Sequence, residues 1–146
     1  MPIQQFYRGR RVLVTGDTGF KGSWLAFWLD RLGAEVHGLA LEPDTDPSNF
    51  EILDLRERIR HRTVDIRDPA ALRDAVREIG AEVVFHLAAQ AIVRVSYEEP
   101  LETLRANVMG TAHLLQAIGE GGYSAERPCV VVCITSDKCY ENRETY

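Results

Sequence analysis

The segment TGDTGFKG, residues 15–22, constrains this chain more than any other stretch. It follows a β-branched apolar run at Arg11–Thr15 and opens an amphipathic stretch over residues 22–32 that is closed by Gly33. Glycines at positions 16, 19 and 22, between a strand and a helix, have a physical reading. The first permits the tight turn, the second removes a side chain where a pyrophosphate must approach the backbone, and the third lets helix pack closely on strand. The free amides and positive dipole end of such a helix bind an anion without any excess of basic residues. A glycine-rich turn with no ligand would show the same spacing. The strand before it, the helix after it and its N-terminal position favour the dinucleotide reading.

Short apolar runs recur along the chain and alternate with amphipathic stretches, as in βαβ units whose strands are buried on both faces. Strands are expected at residues 11–15, 35–41, 62–66, 83–88 and 129–135, and helices at 22–32, 69–79 and 101–118. Asp68 is a natural N-cap before Pro69, and Gly80 a natural terminator. The segment EPDTDPSNFEILDLRERIR reads as loop followed by short helix, and residues 119–128 as a surface connection. Trp24, Phe27 and Trp28 are expected to pack the first helix on the sheet, and Leu101, Leu104, Val108 and Leu115 to form the buried stripe of the longest one. The fold class is α/β, a parallel sheet within three α/β/α layers, and 45% hydrophobic residues suffice for one core.

A formal net charge of -5 leaves no basic excess to displace phosphate counterions, which argues against a nucleic-acid partner. The cysteines, Cys129, Cys133 and Cys139, and the histidines, His37, His61, His86 and His113, show no metal-ligand spacing, so no metal is expected. No apolar run approaches the roughly 20 residues that span a bilayer, and MPIQQFYRGRR lacks the order of a secretory signal. The expectation is a soluble, cytoplasmic protein with reduced thiols. After the second strand an acid often holds the adenosine ribose, but HGLALEP places Ala40 there and Glu42 two residues beyond. Lys21 would suit a 2'-phosphate, or be a solvated loop lysine, so NAD is expected with NADP left open. Asp65 and Ile66, ending the third strand, could meet adenine, or Asp65 could simply cap a loop.

HLAAQ ends the fourth strand and TSDKCY the fifth. Together with TGDTGFKGSWLAFWLDRLGA, VRVSYEEPLETLRANVMGTAHLLQA and TSDKCYENRE, they make nearly the whole chain resemble the CDP-glucose 4,6-dehydratase family, within the extended short-chain dehydrogenase/reductases. The glycine loop and the alanine pair are common to that superfamily, whereas GFKGSW, VRVSY, NVMGT and SDKCYEN are more specific. The resemblance implies a Rossmann-type doubly wound parallel sheet, incomplete relative to the family. It places Gly16, Thr18, Gly19, Phe20 and Gly22 around the pyrophosphate, Asp65 and Ile66 at adenine, and Leu87, Ala88, Ala89 and Gln90 along the ribose and nicotinamide. Ser136 would touch the sugar's 4-hydroxyl, Asp137 protonate the departing 6-hydroxyl and Lys138 act near carbon 5. Asp17, Ala91 and Ala106 depart from the family pattern, where a histidine, a proline and a threonine are expected.

The implied chemistry is coherent. Oxidising the 4-hydroxyl acidifies the proton on carbon 5, water leaves from carbon 6, and the stored hydride returns there. The family's oxidising step also needs a Tyr-x-x-x-Lys pair, and Tyr97, Tyr123 and Tyr140 have Leu101, Arg127 and Glu144 four residues on. The expectation is therefore a partial cofactor-binding domain over residues 1–146 without the substrate domain, inactive alone, with a nucleotide sugar as substrate and a homodimer at full length. Other sugar-nucleotide epimerases or reductases share the scaffold. A noncatalytic dinucleotide-binding module is the reading from another class.

Overall fold

The computed structural model describes residues 1–136. Its centre is β1 (Arg11–Thr15), in which Val12, Leu13, Val14 and Thr15 are wholly buried. A strand covered on both faces has to be apolar throughout, which is why this run does not alternate. It pairs in parallel with β2 (Glu35–Ala40) on one side and β4 (Val83–His86) on the other. Beyond them lie β3 (Arg60–Thr63) and β5 (Val130–Cys133), giving a five-stranded parallel sheet of order β3-β2-β1-β4-β5. The expected doubly wound sheet is the one observed. The direction of winding reverses between β1 and β4, and ligands of such sheets sit outside the carboxyl ends of the strands at that point.

Helices cover both faces. Leu13, Leu39 and Val84 meet Leu72, Val76 and Ile79 of α5 (Pro69–Ile79) and Leu114 of α8 (Thr111–Gly119). Val12, Val14 and Val36 meet Ala26 and Leu29 of α2 (Phe20–Arg31), together with Phe50 of α3 (Asn49–Ile52) and Leu55 of α4 (Leu55–Arg58). The signals around α5 act as the sequence suggests. The Asp68 carboxylate accepts from the amides of Ala70 and Ala71, and Gly80 ends the helix at φ 56°.

Three expectations are corrected. β3 begins two residues early and ends before Val64, so Asp65 and Ile66 stand in the turn that follows it. The apolar residues there mark the return to the core rather than the strand itself. Trp24 and Trp28 are half exposed, because α2 approaches the sheet through Gly22, Ser23, Ala26 and Leu29. Small residues let the backbones come close, and indoles would not fit that gap. The long helix is divided into α7 (Pro100–Leu104), a π-helical turn (Arg105–Gly110) and α8, preceded by α6 (Val93–Glu98); α1 (Ile3–Tyr7) was likewise not foreseen. A π turn carries one extra residue and rotates the following face. Leu101, Leu104, Val108 and Leu115 are exposed, so the expected stripe is not the buried face; from the end of the turn onward that face is formed by Gly110, Leu114, Ala117 and Ile118.

Candidate functional site

The glycines of the loop have different structural tasks. Gly16 has φ 77°, and a Cβ there would lie 2.7 Å from the Ala88 nitrogen, so the end of β4 crosses against it. At Gly22 a Cβ would collide with the Gly16 carbonyl oxygen, so that glycine closes the turn against the helix. Gly19 is exposed, and a Cβ there would meet nothing in the protein closer than 3.4 Å. Its missing side chain leaves space on the outside, where the first-turn amides of α2 have no partner within the helix.

Beneath the loop lies a buried acid. The Asp17 carboxylate is wholly inaccessible, and its Oδ2 is 2.7 Å from Nδ1 of His61 on β3. Gly38 of β2 passes between them in the sheet, and any Cβ there would collide with that carboxylate. Phe50 packs edge-on against the imidazole, with ring centroids 4.9 Å apart. The residue that departs from the family pattern thus has a built surrounding of its own.

Facing the loop is the segment after β4. Ala88 donates to Thr15 Oγ1 at 3.3 Å. Gln90 is clamped by Asn107 of the π turn, whose Oδ1 accepts from the Gln90 amide at 2.7 Å and whose Nδ2 donates to the Gln90 carbonyl at 2.9 Å. The Gln90 side chain in turn donates to Thr103 and accepts from the Ile92 amide. In the sequence, Asn107 and Thr111 share one helix face, a spacing open to hydrogen bonding with the sheet ends as much as with a substrate. The signal is present in its position, one turn before Thr111, but not the clamp.

Loop and clamped segment bound one cleft of about 570 Å³. It is lined by Gly16, Thr18, Gly19, Phe20, Asp65, Ile66, Leu87, Ala88, Ala89 and Gln90, while Gly22 stays buried behind the loop. At the end near β2 and β3 the cleft also meets Ala40, Leu41 and Glu42. The Glu42 carboxylate accepts from Thr63 and Arg56, and those hydrogen bonds hold its pKa below the ordinary value. Thr18 donates to the Leu41 carbonyl, tying loop to strand end. The Asp65 carboxylate is engaged by the Arg67 guanidinium, which also lowers its pKa, and Arg67 reaches on to Glu102. Ile66 borders the cleft but is mostly buried against Gly110.

Ser136 is exposed just beyond β5, and Asp137 and Lys138 lie outside the described residues. Among the described residues no cluster of His, Cys, Asp or Glu could hold a metal ion, and no helix is long and apolar enough to cross a membrane.

A protein-family model described as GDP-mannose 4,6 dehydratase matches residues 13–145. The chain is 52% identical over 141 residues to the CDP-glucose 4,6-dehydratase of Salmonella typhimurium, which covers 97% of this chain and 38% of that one. Among solved structures, the UDP-glucose-4-epimerase from Stenotrophomonas maltophila with bound NAD and formylated UDP-arabinopyranose has a TM-score of 0.78 at 27% identity, covering 93% of this chain and 40% of that one. The UDP-glucose 4-epimerase of Thermus thermophilus in complex with NAD has a TM-score of 0.66 at 36% identity, covering 77% of this chain and 34% of its own. The chain therefore spans 34% to 40% of the length of these relatives. Since the family model is matched from β1 through β5 and on to residue 145, the chain belongs to the GDP-mannose 4,6 dehydratase family.

Proposed function

We propose that this protein is an NAD-dependent 4,6-dehydratase of a nucleotide sugar, CDP-glucose, and that residues 1–146 form its cofactor-binding domain. The observation that carries the reading is the cleft at the switch point, with an open-sided Gly19 on one wall and the clamped segment 87–90 on the other. The 52% identity to a CDP-glucose 4,6-dehydratase supports the choice of sugar nucleotide.

The residues present fit a dinucleotide. The α2 amides behind Gly19 would take the pyrophosphate, with Gly16, Thr18 and Phe20 around it and Gly22 allowing the turn. Asp65 and Ile66 would border adenine, and Leu87, Ala88, Ala89 and Gln90 the ribose and nicotinamide. Glu42, held ionised at the β2 end, would repel a 2'-phosphate, which favours NAD over NADP. When bound, nicotinamide supplies the hydride acceptor for carbon 4 of the sugar and returns the hydride to carbon 6. Ser136 would hydrogen-bond the 4-hydroxyl, Asp137 would give its proton to the departing 6-hydroxyl, and Lys138 would act at carbon 5. The proposed assembly is a homodimer.

Gly19→Val is the direct test, because a Cβ at this exposed position would meet nothing in the protein closer than 3.4 Å. Calorimetry should show NAD affinity reduced by roughly tenfold or more, as expected when bulk blocks a pyrophosphate's approach to the backbone, with thermal stability nearly unchanged. Unchanged affinity would contradict the assignment.

A further inference from the structure

His86 is buried at the end of β4 and does not line the cleft, yet both ring nitrogens are engaged. Its Nδ1 is 2.6 Å from Thr15 Oγ1, and its Nε2 is 2.9 Å from Thr111 Oγ1. The proton count of these contacts has one consistent solution. The Thr111 hydroxyl donates to the Asn107 carbonyl at 2.8 Å, so toward the imidazole it can only accept. Nε2 therefore carries the hydrogen. Thr15 accepts the Ala88 amide and, being wholly buried, needs an acceptor for its own proton, which a bare Nδ1 provides. The opposite tautomer, or an imidazolium, would strand the Thr15 proton in the core, and buried donors without acceptors are strongly disfavoured.

We infer that His86, as the neutral Nε2–H tautomer, is a positioning residue for the segment 87–90 that faces the nicotinamide. It links β1, through Thr15, to the helix start at Thr111, and both arms act on that segment: Thr15 accepts from Ala88, and Asn107, one turn before Thr111, clamps Gln90. Burial also pushes the imidazole pKa below the ordinary 6.5, in keeping with a neutral ring. The inference rests on the dinucleotide reading for what segment 87–90 faces, though not for the tautomer itself.

Two measurements on the protein test it. Nitrogen-15 NMR of the imidazole should show a protonated Nε2 and a bare Nδ1 at neutral pH; the reverse pattern, or a charged ring, would overturn the inference. Second, Thr111→Val keeps the side-chain shape but removes the acceptor for Nε2–H, whereas Thr111→Ser retains it. With a buried donor left unpaired beside the segment, NAD binding should weaken roughly tenfold in Thr111→Val and recover in Thr111→Ser, while ADP, which lacks both the nicotinamide and its ribose, should bind all forms alike. Equal loss of both ligands, loss of neither, or loss that serine fails to restore would overturn the positioning role. Failure of the unaltered protein to bind NAD would sink the cofactor reading and the role with it, while the NMR result would still decide the tautomer.

Discussion

An alanine at Gly38 would push its methyl group into the Asp17 carboxylate, although the two positions are 21 apart in sequence. Overpacking of this kind costs on the order of 1–3 kcal/mol. Gly38→Ala should therefore destabilise the protein by about that amount in chemical denaturation, and by clearly less when Asp17→Ala is already present, since neighbouring substitutions couple. Equal penalties in the two backgrounds would show that the contact does not matter. The pair also shows what was hidden in the sequence. Asp17 stands out there only as a departure from a family pattern, because its partner His61 lies 44 residues away and reaches it only once β1, β2 and β3 lie side by side. The loop glycines were legible from their spacing between a strand and a helix, whereas the close approach of Ala88 to Gly16 was not. Asp65 was half legible: its position at a strand end marked it, whereas its engagement with Arg67 depends on the turn that forms.

At the level of elements, α5 could be read directly from Asp68, Pro69 and Gly80, since caps are local chemistry. The helix after it could not. A stripe drawn at 3.6-residue spacing assumes uniform turns, and the π turn at Arg105–Gly110 breaks that assumption at the place where Asn107 must reach Gln90. At Gly110, where the π turn ends, the helix meets the turn that follows β3, and a Cβ there would lie 2.6 Å from Ile66 Cδ1. Gly110→Ala should lower stability by roughly 1–3 kcal/mol through that clash. Gly119, at the far end of α8, has open space around its Cα, so Gly119→Ala should be neutral or stabilising by up to about 0.5–1 kcal/mol. Thermal denaturation of the two variants checks the contrast, and a harmless Gly110→Ala would mean that the helix and the Ile66 side chain are free to shift apart.

Over the whole molecule, sheet order decides where the candidate site lies. Because β1 and β4 are neighbours though 67 residues lie between their described ends, the loop after one and the segment after the other face each other across a single cleft. The alternation of apolar runs and amphipathic stretches made the layered parallel sheet legible, since strands buried on both faces need continuous apolar sequence. The cleft itself follows from the crossing order and was reached through the family resemblance rather than through any single run. A crystal structure of the protein with NAD tests this most directly. The pyrophosphate should lie over the first-turn amides of α2 beside Gly19, with adenine toward Asp65 and Glu42 and nicotinamide against Ala88 to Gln90. A dinucleotide bound outside this cleft, or lying in it with its two ends exchanged, would contradict that assignment.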